Sequence, residues 1–167
     1  RPLHQVMISG MKTPLYIHCV GKNPKPLATI TSYPDGQGRH FWYVGGLLAE
    51  QGIEQTPDAL IRTAKQELAR LLPGADFTGT GWATHAVNRA EPAHRGGLRP
   101  TSATAKSFGS GIVAWPTKLA LAPVLADKVL EILRQAELEP GPHELGGLVD
   151  LPRPAIARPP WQEVGQW

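Results

Sequence analysis

The first 45 residues carry their apolar side chains in four short runs: "PLHQVMI" (2–8), "PLYIHCV" (14–20), "LATITSY" (27–33) and "RHFWYVGG" (39–46). Each run is rich in β-branched and aromatic residues, and turn chemistry separates them at Gly10-Met11-Lys12, Gly21-Lys22-Asn23-Pro24 and Pro34-Asp35-Gly36. Such runs between such turns predict strands. Links this short favour an antiparallel meander, because a parallel crossover needs a dozen or more residues. "PDGQG" is the strongest hairpin signal in the chain. The spacing then changes. Leu60, Ile61, Ala64, Leu68, Leu71 and Leu72 recur at helical intervals, which predicts a helix over about 57–72 packed on the sheet. Thr56 can cap it, Pro57 suits its first position, Asp58 suits its positive end, and Pro73-Gly74 stops it.

Residues 76–90 predict another strand, interrupted by Gly79 and Gly81. After a loop through "EPAHRGGLRP" (91–100) and an irregular stretch, "SGIVAW" (110–115) reads as a buried strand. A helix over about 119–136 has a broad apolar face of Leu121, Val124, Leu125, Val129, Ile132 and Leu133. Pro123 is tolerated only near a helix start, so this helix begins close to 119–122. Beyond residue 139 proline and glycine dominate, and "LPRPAIARPPW" (151–161) predicts an extended arm. The fold class is α+β: a mostly antiparallel sheet of five or six strands, one packed helix, a later strand–helix pair and an extended tail.

Composition narrows the function classes. Of 167 residues, 41% are apolar and 19% charged, enough apolar surface for a core. The net charge of +3 comes from scattered Lys and Arg rather than a basic face, so no nucleic-acid partner is expected. The single cysteine, Cys19, excludes an internal disulfide, and its apolar neighbours favour a buried structural thiol. No apolar run has the length of a membrane span and no signal peptide is visible, so a cytoplasmic location is expected. A chain that opens at Arg1, already in strand-like sequence, reads as an excised piece of a longer one. Six scattered histidines offer no metal-ligand spacing; there is no Gly-x-Ser-x-Gly, no Walker-type loop, and "GTG" at 79–81 is too little of a dinucleotide fingerprint. By spacing alone, no complete catalytic machine is present.

One set of anchors remains: "GGLRP" (96–100), "GIVAW" (111–115) and "PTKLALAPVLADKVLEIL" (116–133). Their order resembles the C-terminal part of the D-amino-acid-oxidase-like family of FAD-dependent oxidoreductases, and "WYVGGLLAE" (42–50) followed by a helix fits the same order of elements. The likeness covers roughly residues 1–135. Two stretches depart from the family pattern. "TSATAKSFGSG" (101–111) stands where the family has an aspartate and a Pro-Ile-Ile-Gly-like run, and Ala-Trp-Pro-Thr-Lys (114–118) replaces a glycine- and histidine-rich turn. The family's opening Gly-x-Gly-x-x-Gly unit, which holds the FAD pyrophosphate, has no counterpart in these residues.

The resemblance implies a substrate-domain part at 1–95, a terminal strand and helix of an FAD-binding domain at 96–138, and a tail at 139–167. It implies a C-terminal fragment of an enzyme that oxidises an amino acid or amine by hydride transfer to flavin. The fragment would be inactive alone, because its FAD site is incomplete. Its partners would be the small-molecule substrate and the remainder of its own FAD-binding domain. The flavin carries the chemistry, so no catalytic side chain is implied. Trp115, Pro116, Thr117, Lys118 and Leu119 would lie at the flavin ring, with backbone N–H groups and the Lys118 cation facing its pyrimidine edge. Arg99 would bind the substrate carboxylate through its planar fork, with Tyr16 a second donor. Trp42 and Trp82 read as core or domain-boundary aromatics. The competing class is a non-enzymatic β-rich binding module, supported by the missing nucleotide fingerprint and the proline-rich arm.

Overall fold

The computed structural model describes residues 1–22, 25–91, 101–115, 118–138, 141, 151–164 and 167. It divides into two compact units, Arg1–Arg89 together with Ile156–Trp167, and Ala90–Ala155. The stretch expected as a tail therefore contributes to both.

In the first unit a five-stranded antiparallel sheet is built from β1 (Pro2–Met11), β2 (Ile17–Cys19), β3 (Ala28–Pro34), β4 (His40–Gly45) and β5 (Gly81–Asn88). The order across it is β2-β3-β4-β1-β5. The simple meander expected from the short links is thus corrected at its first step: β1 pairs with β4 and β5, and β2 lies at the far edge. The reason is burial. Leu3 and Met7 on one face of β1, and Val6 and Ile8 on the other, are all buried, and a strand apolar on both faces belongs in the middle of a sheet.

The link from β1 to β2 must cross β4 and β3, three strand spacings or about 14 Å, and residues 12–16 are enough to span that when extended. Two side chains hold it as it crosses. Trp42 of β4 donates its indole N–H to the Thr13 carbonyl at 2.9 Å. Buried Ser32 of β3 accepts from the Leu15 N–H at 2.6 Å and donates to the Leu15 carbonyl at 2.8 Å. Gly10-Met11-Lys12, expected as a turn, contains a bulge instead. Gly10 has φ +79°, the β1–β4 register shifts between Ile8 and Met11, and the strand runs on to Met11. The expected hairpin at 34–38 does join β3 to β4, closed by the Asp35 carboxylate, which accepts from the Gln37 and Arg39 N–H groups.

Helix α1 (Leu47–Gln51) and a short 3-10 turn (Gly52–Glu54) lead into α2 (Pro57–Leu71). Gly46 opens α1 at φ +83°, and a Cβ there would lie 2.9 Å from the Pro26 carbonyl oxygen, so only glycine fits. Thr56 caps α2 as expected, accepting from the Ala59 N–H at 3.4 Å. Leu60, Ala64 and Leu68 of α2 are fully buried in one cluster with Val6, Ile8, Ile30, Trp42 and Val44. Cys19 is half-buried at the edge of that cluster rather than enclosed in it, and burial raises its thiol pKa above the ordinary value.

The second unit contains β6 (Thr104–Phe108), β7 (Gly111–Trp115), a 3-10 turn (Leu119–Leu121) and α3 (Ala122–Gln135). β6, expected to be irregular, forms an antiparallel hairpin with β7 across a turn in which Gly109 has φ +56°. β7 is consequently half of a two-stranded ribbon and partly exposed, which corrects the expected buried strand. α3 begins where Pro123 requires and packs on the ribbon, with the Lys128 ammonium donating to the Ala103 carbonyl at 2.8 Å.

Replacing Ser32 with alanine leaves both polar groups of Leu15 without this partner inside the sheet's cover. A destabilisation of about 1–3 kcal/mol is expected, read as a lower urea midpoint with unchanged slope. An unchanged midpoint would show that the crossing link is held by other contacts.

Candidate functional site

Alternation along the strands gives the sheet a second face, opposite α2. Three cross-strand rows make it up. Tyr33 faces Phe41, and Ser9 faces Gly81; Thr31 faces Tyr43, which faces Met7, which faces Ala83; Thr29 faces Gly45, and Gln5 faces His85. The first row is aromatic and the last is polar, with Tyr43 between them.

Tyr43 donates its hydroxyl to Gln5 Oε1 at 2.6 Å. That bond directs the Gln5 amide NH2 toward Gly45, where an added Cβ would lie 3.4 Å from Gln5 Nε2 and 2.8 Å from Thr29 Oγ1. A side chain at Gly45 would collide with the Thr29 hydroxyl, so the glycine is what lets that hydroxyl and the Gln5 amide close over this position. The His85 ring stands 6.4 Å from the Tyr43 ring. Burial raises the Tyr43 pKa, and neighbouring Tyr33 pushes it the same way, so the phenol stays a donor through the physiological range. The group can accept, donate and orient; it holds no activated nucleophile.

Two tryptophans near the C-terminal end of the described residues lie on the same face. Trp161, in a 3-10 turn at Pro160–Gln162, has its ring 4.2 Å from Tyr33, 5.8 Å from Phe41 and 6.1 Å from Tyr43. Trp167 is 5.4 Å from Phe41. On the α2 side, a concavity of about 490 Å³ is floored by Met11, Leu15, Trp42, Leu71 and Leu72, with a Lys12–Asp76 ion pair of 2.9 Å at its rim. That pair and the Thr78 N–H hold the Asp76 carboxyl well below the usual carboxylate range. The concavity contains none of the residues singled out from the sequence.

Those residues are placed as follows. Tyr16 precedes the edge strand β2 and is 67% exposed. Trp115 ends β7 opposite Thr104, half-buried. Lys118 is exposed and caps the 3-10 turn, its carbonyl accepting from the Leu121 N–H at 2.9 Å; Leu119 is 89% exposed. Arg99, Pro116 and Thr117 lie outside the described residues. Tyr16 belongs to the first unit, and Trp115, Lys118 and Leu119 to the second. Gln5 and Tyr43 carry no signal of their own in the sequence, and His85 reads there as one of six scattered structural or surface histidines, because nothing local marks three strand residues as neighbours.

A phenolate absorbance titration should show its highest-pH component above the ordinary tyrosine value of about 10, and Tyr43→Phe should remove that component. Because the fold favours the neutral phenol, this contribution to stability is complete below about pH 10 and declines as pH rises through the folded-state value. A highest component that survives the substitution would show that Tyr43 is not the shifted group.

Comparison with known proteins gives the same direction as the motifs. No family profile matches the chain. It is 45% identical over 164 residues to a "Probable FAD-dependent oxidoreductase" of Pseudomonas aeruginosa strain PAO1, an alignment covering 97% of this chain and 41% of that protein. It also superposes on the crystal structure of an FAD-dependent oxidoreductase from Pseudomonas aeruginosa with a TM-score of 0.83 and 45% identity, over 98% of this chain and 45% of the other. The chain thus spans less than half the length of either relative, and is similar, almost from end to end, to a portion of an FAD-dependent oxidoreductase.

Proposed function

We propose that these residues form part of an FAD-dependent oxidoreductase of the D-amino-acid-oxidase-like kind, acting on an amino acid or amine. One observation carries the reading: 45% identity sustained over nearly the whole chain, with a matching fold, to a protein named for that cofactor. The substrate class rests on the resemblance of the motifs around Arg99 and the turn before α3.

The residues present fit one part of the cofactor. The Lys118 cation is exposed, and Leu121, the N-cap of α3, brings no side-chain acceptor, while the Ala122 N–H is taken by the Leu119 carbonyl and Pro123 has none to offer. Helix starts leave N–H groups without partners inside the helix, and a cation beside them suits an electron-rich ring edge. Trp115, Pro116, Thr117, Lys118 and Leu119 would hold the flavin's pyrimidine edge. The pyrophosphate is a different matter, since these 167 residues contain no Gly-x-Gly-x-x-Gly unit. When bound, FAD supplies the hydride acceptor. This chain's own residues bind and orient: Arg99 takes the substrate carboxylate, Tyr16 adds a hydroxyl, and the Gln5–Tyr43–His85 group presents polar atoms on the second sheet face. In this reading the chain alone is inactive, and its partners are the substrate and the remainder of the FAD-binding domain.

The deciding experiment is production of a longer protein that joins these residues to a dinucleotide-binding unit, followed by anaerobic addition of amino acids and amines. Bound flavin that is bleached by one of them supports the reading; a protein purified without flavin overturns it. In that enzyme Arg99→Lys should raise KM for a carboxylate-bearing substrate about 10- to 150-fold, or about 1.5–3 kcal/mol, with FAD content unchanged. Loss of flavin at constant KM would make Arg99 structural. Lys118→Met should lower the flavin midpoint potential by about 20–45 mV, the equivalent of about 1–2 kcal/mol for a two-electron couple. A redox titration without a shift would remove Lys118 from the site.

A further inference from the structure

The second face of the sheet is already occupied by part of the chain itself. Trp161 lies on the Tyr33–Phe41–Tyr43 surface, tilted 30° to Tyr33, stacked at 23° to Phe41 and edge-on to Tyr43 at 68°. Trp167 stacks on Phe41 at 29°, and its Cβ sits 2.5 Å from where a side chain on Gly81 would begin. The two indoles thus reach from β3 toward β5.

Their attachment has a particular chemistry. Among the described residues, the hydrogen bonds of this segment are local, Gln162 N–H to the Pro159 carbonyl and Glu163 N–H to the Pro160 carbonyl. Among the described residues, contact with the sheet is made by the two rings and, at Gly81, by the Cβ and backbone of Trp167; ring contact is apolar and non-directional compared with a strand ladder. Tyr33, Phe41 and Tyr43 offer faces and an edge of uncharged rings, a surface complementary to a flat aromatic group. Tyr43 belongs to both halves of the face, since one side of its ring meets Trp161 while its hydroxyl is bonded to Gln5.

We propose that Trp161 and Trp167 are a displaceable cover, and that the surface beneath them is a receptor for an uncharged planar aromatic ring of a ligand. The inference rests on the reading of this face as the ligand-orienting side of the chain. A ring seated in place of Trp161 lies beside the Gln5–Tyr43–His85 group, which then addresses the ligand's polar end. Covalent attachment keeps the indoles at a high effective concentration, so an outside ring binds only in proportion to the fraction of time the cover is off.

The test uses indole and a synthetic peptide of residues 156–167 as probes, with ring resonances of Tyr33, Phe41 and Tyr43 as the readout. Binding is compared in the intact chain, a chain ending at residue 155, Trp161→Ala and Gly81→Ala. The shortened chain and Trp161→Ala should bind indole about tenfold more tightly than the intact chain, shifting those three rings. Gly81→Ala, whose Cβ would press on Trp167 and the Ser9 hydroxyl but not on Trp161, should give a smaller gain. The peptide should bind the shortened chain and compete with indole. If Trp161→Ala retains its sheet by circular dichroism and binds neither probe better than the intact chain, the proposal is overturned; so it is if the intact chain binds indole equally well. No flavin enters these measurements, so their failure leaves the oxidoreductase reading standing. A flavin-free longer protein would in turn leave the ring receptor standing.

Discussion

Everything in the first unit depends on β1 being buried on both faces. Leu3 and Met7 point one way and Val6 and Ile8 the other, and none tolerates water. A strand with that pattern must be flanked on both edges and covered on both sides. β4 and β5 supply the edges, and α2 supplies the cover over Val6 and Ile8. Displacing β2 to the sheet edge follows from this, as does the crossing link pinned by Trp42 and Ser32.

Features set by neighbours in sequence were legible in advance. Thr56 and Pro57 announce α2, Pro34-Asp35-Gly36 announces a hairpin, and Pro123 fixes the start of α3. Features set by partners far along the chain were not. Gly10 reads as a turn glycine, yet the same positive φ serves a bulge once β4 is alongside. The stretch 104–108 is polar and glycine-flanked, and becomes a strand only because β7 pairs with it. The candidate site divides along the same line. Motif resemblance led to Arg99 and the turn at 115–119, which are near one another in sequence. Gln5 and Tyr43, 38 residues apart, meet only through strand register, and no local pattern encodes register between distant strands.

The functional picture joins two kinds of evidence of different reach. Likeness to a flavoprotein extends over almost all of this chain but less than half of the relative, so it speaks to ancestry and fold more directly than to turnover. The sheet face contributes physical detail that likeness cannot. It has a polar row, an aromatic row, and a phenol shared between them that burial keeps protonated. Such a surface orients a ligand without reacting with it, which suits a chain whose proposed chemistry belongs to a cofactor.

The position of β1 also bears on how the molecule comes to be made. β1, an interior strand of the sheet, leaves the ribosome before both of its neighbours, which arrive at residues 40–45 and 81–88. Until residue 45 a strand apolar on both faces has no native neighbour to lie against, and until residue 88 it has only one of the two. Long-range pairing of this kind closes slowly, and an unpaired apolar strand is a sticky one. Synthesis therefore passes through an interval of about 80 residues in which this chain is most vulnerable to association with itself. Solubility in the cell is then governed by nascent-chain timing as much as by the stability of the finished fold.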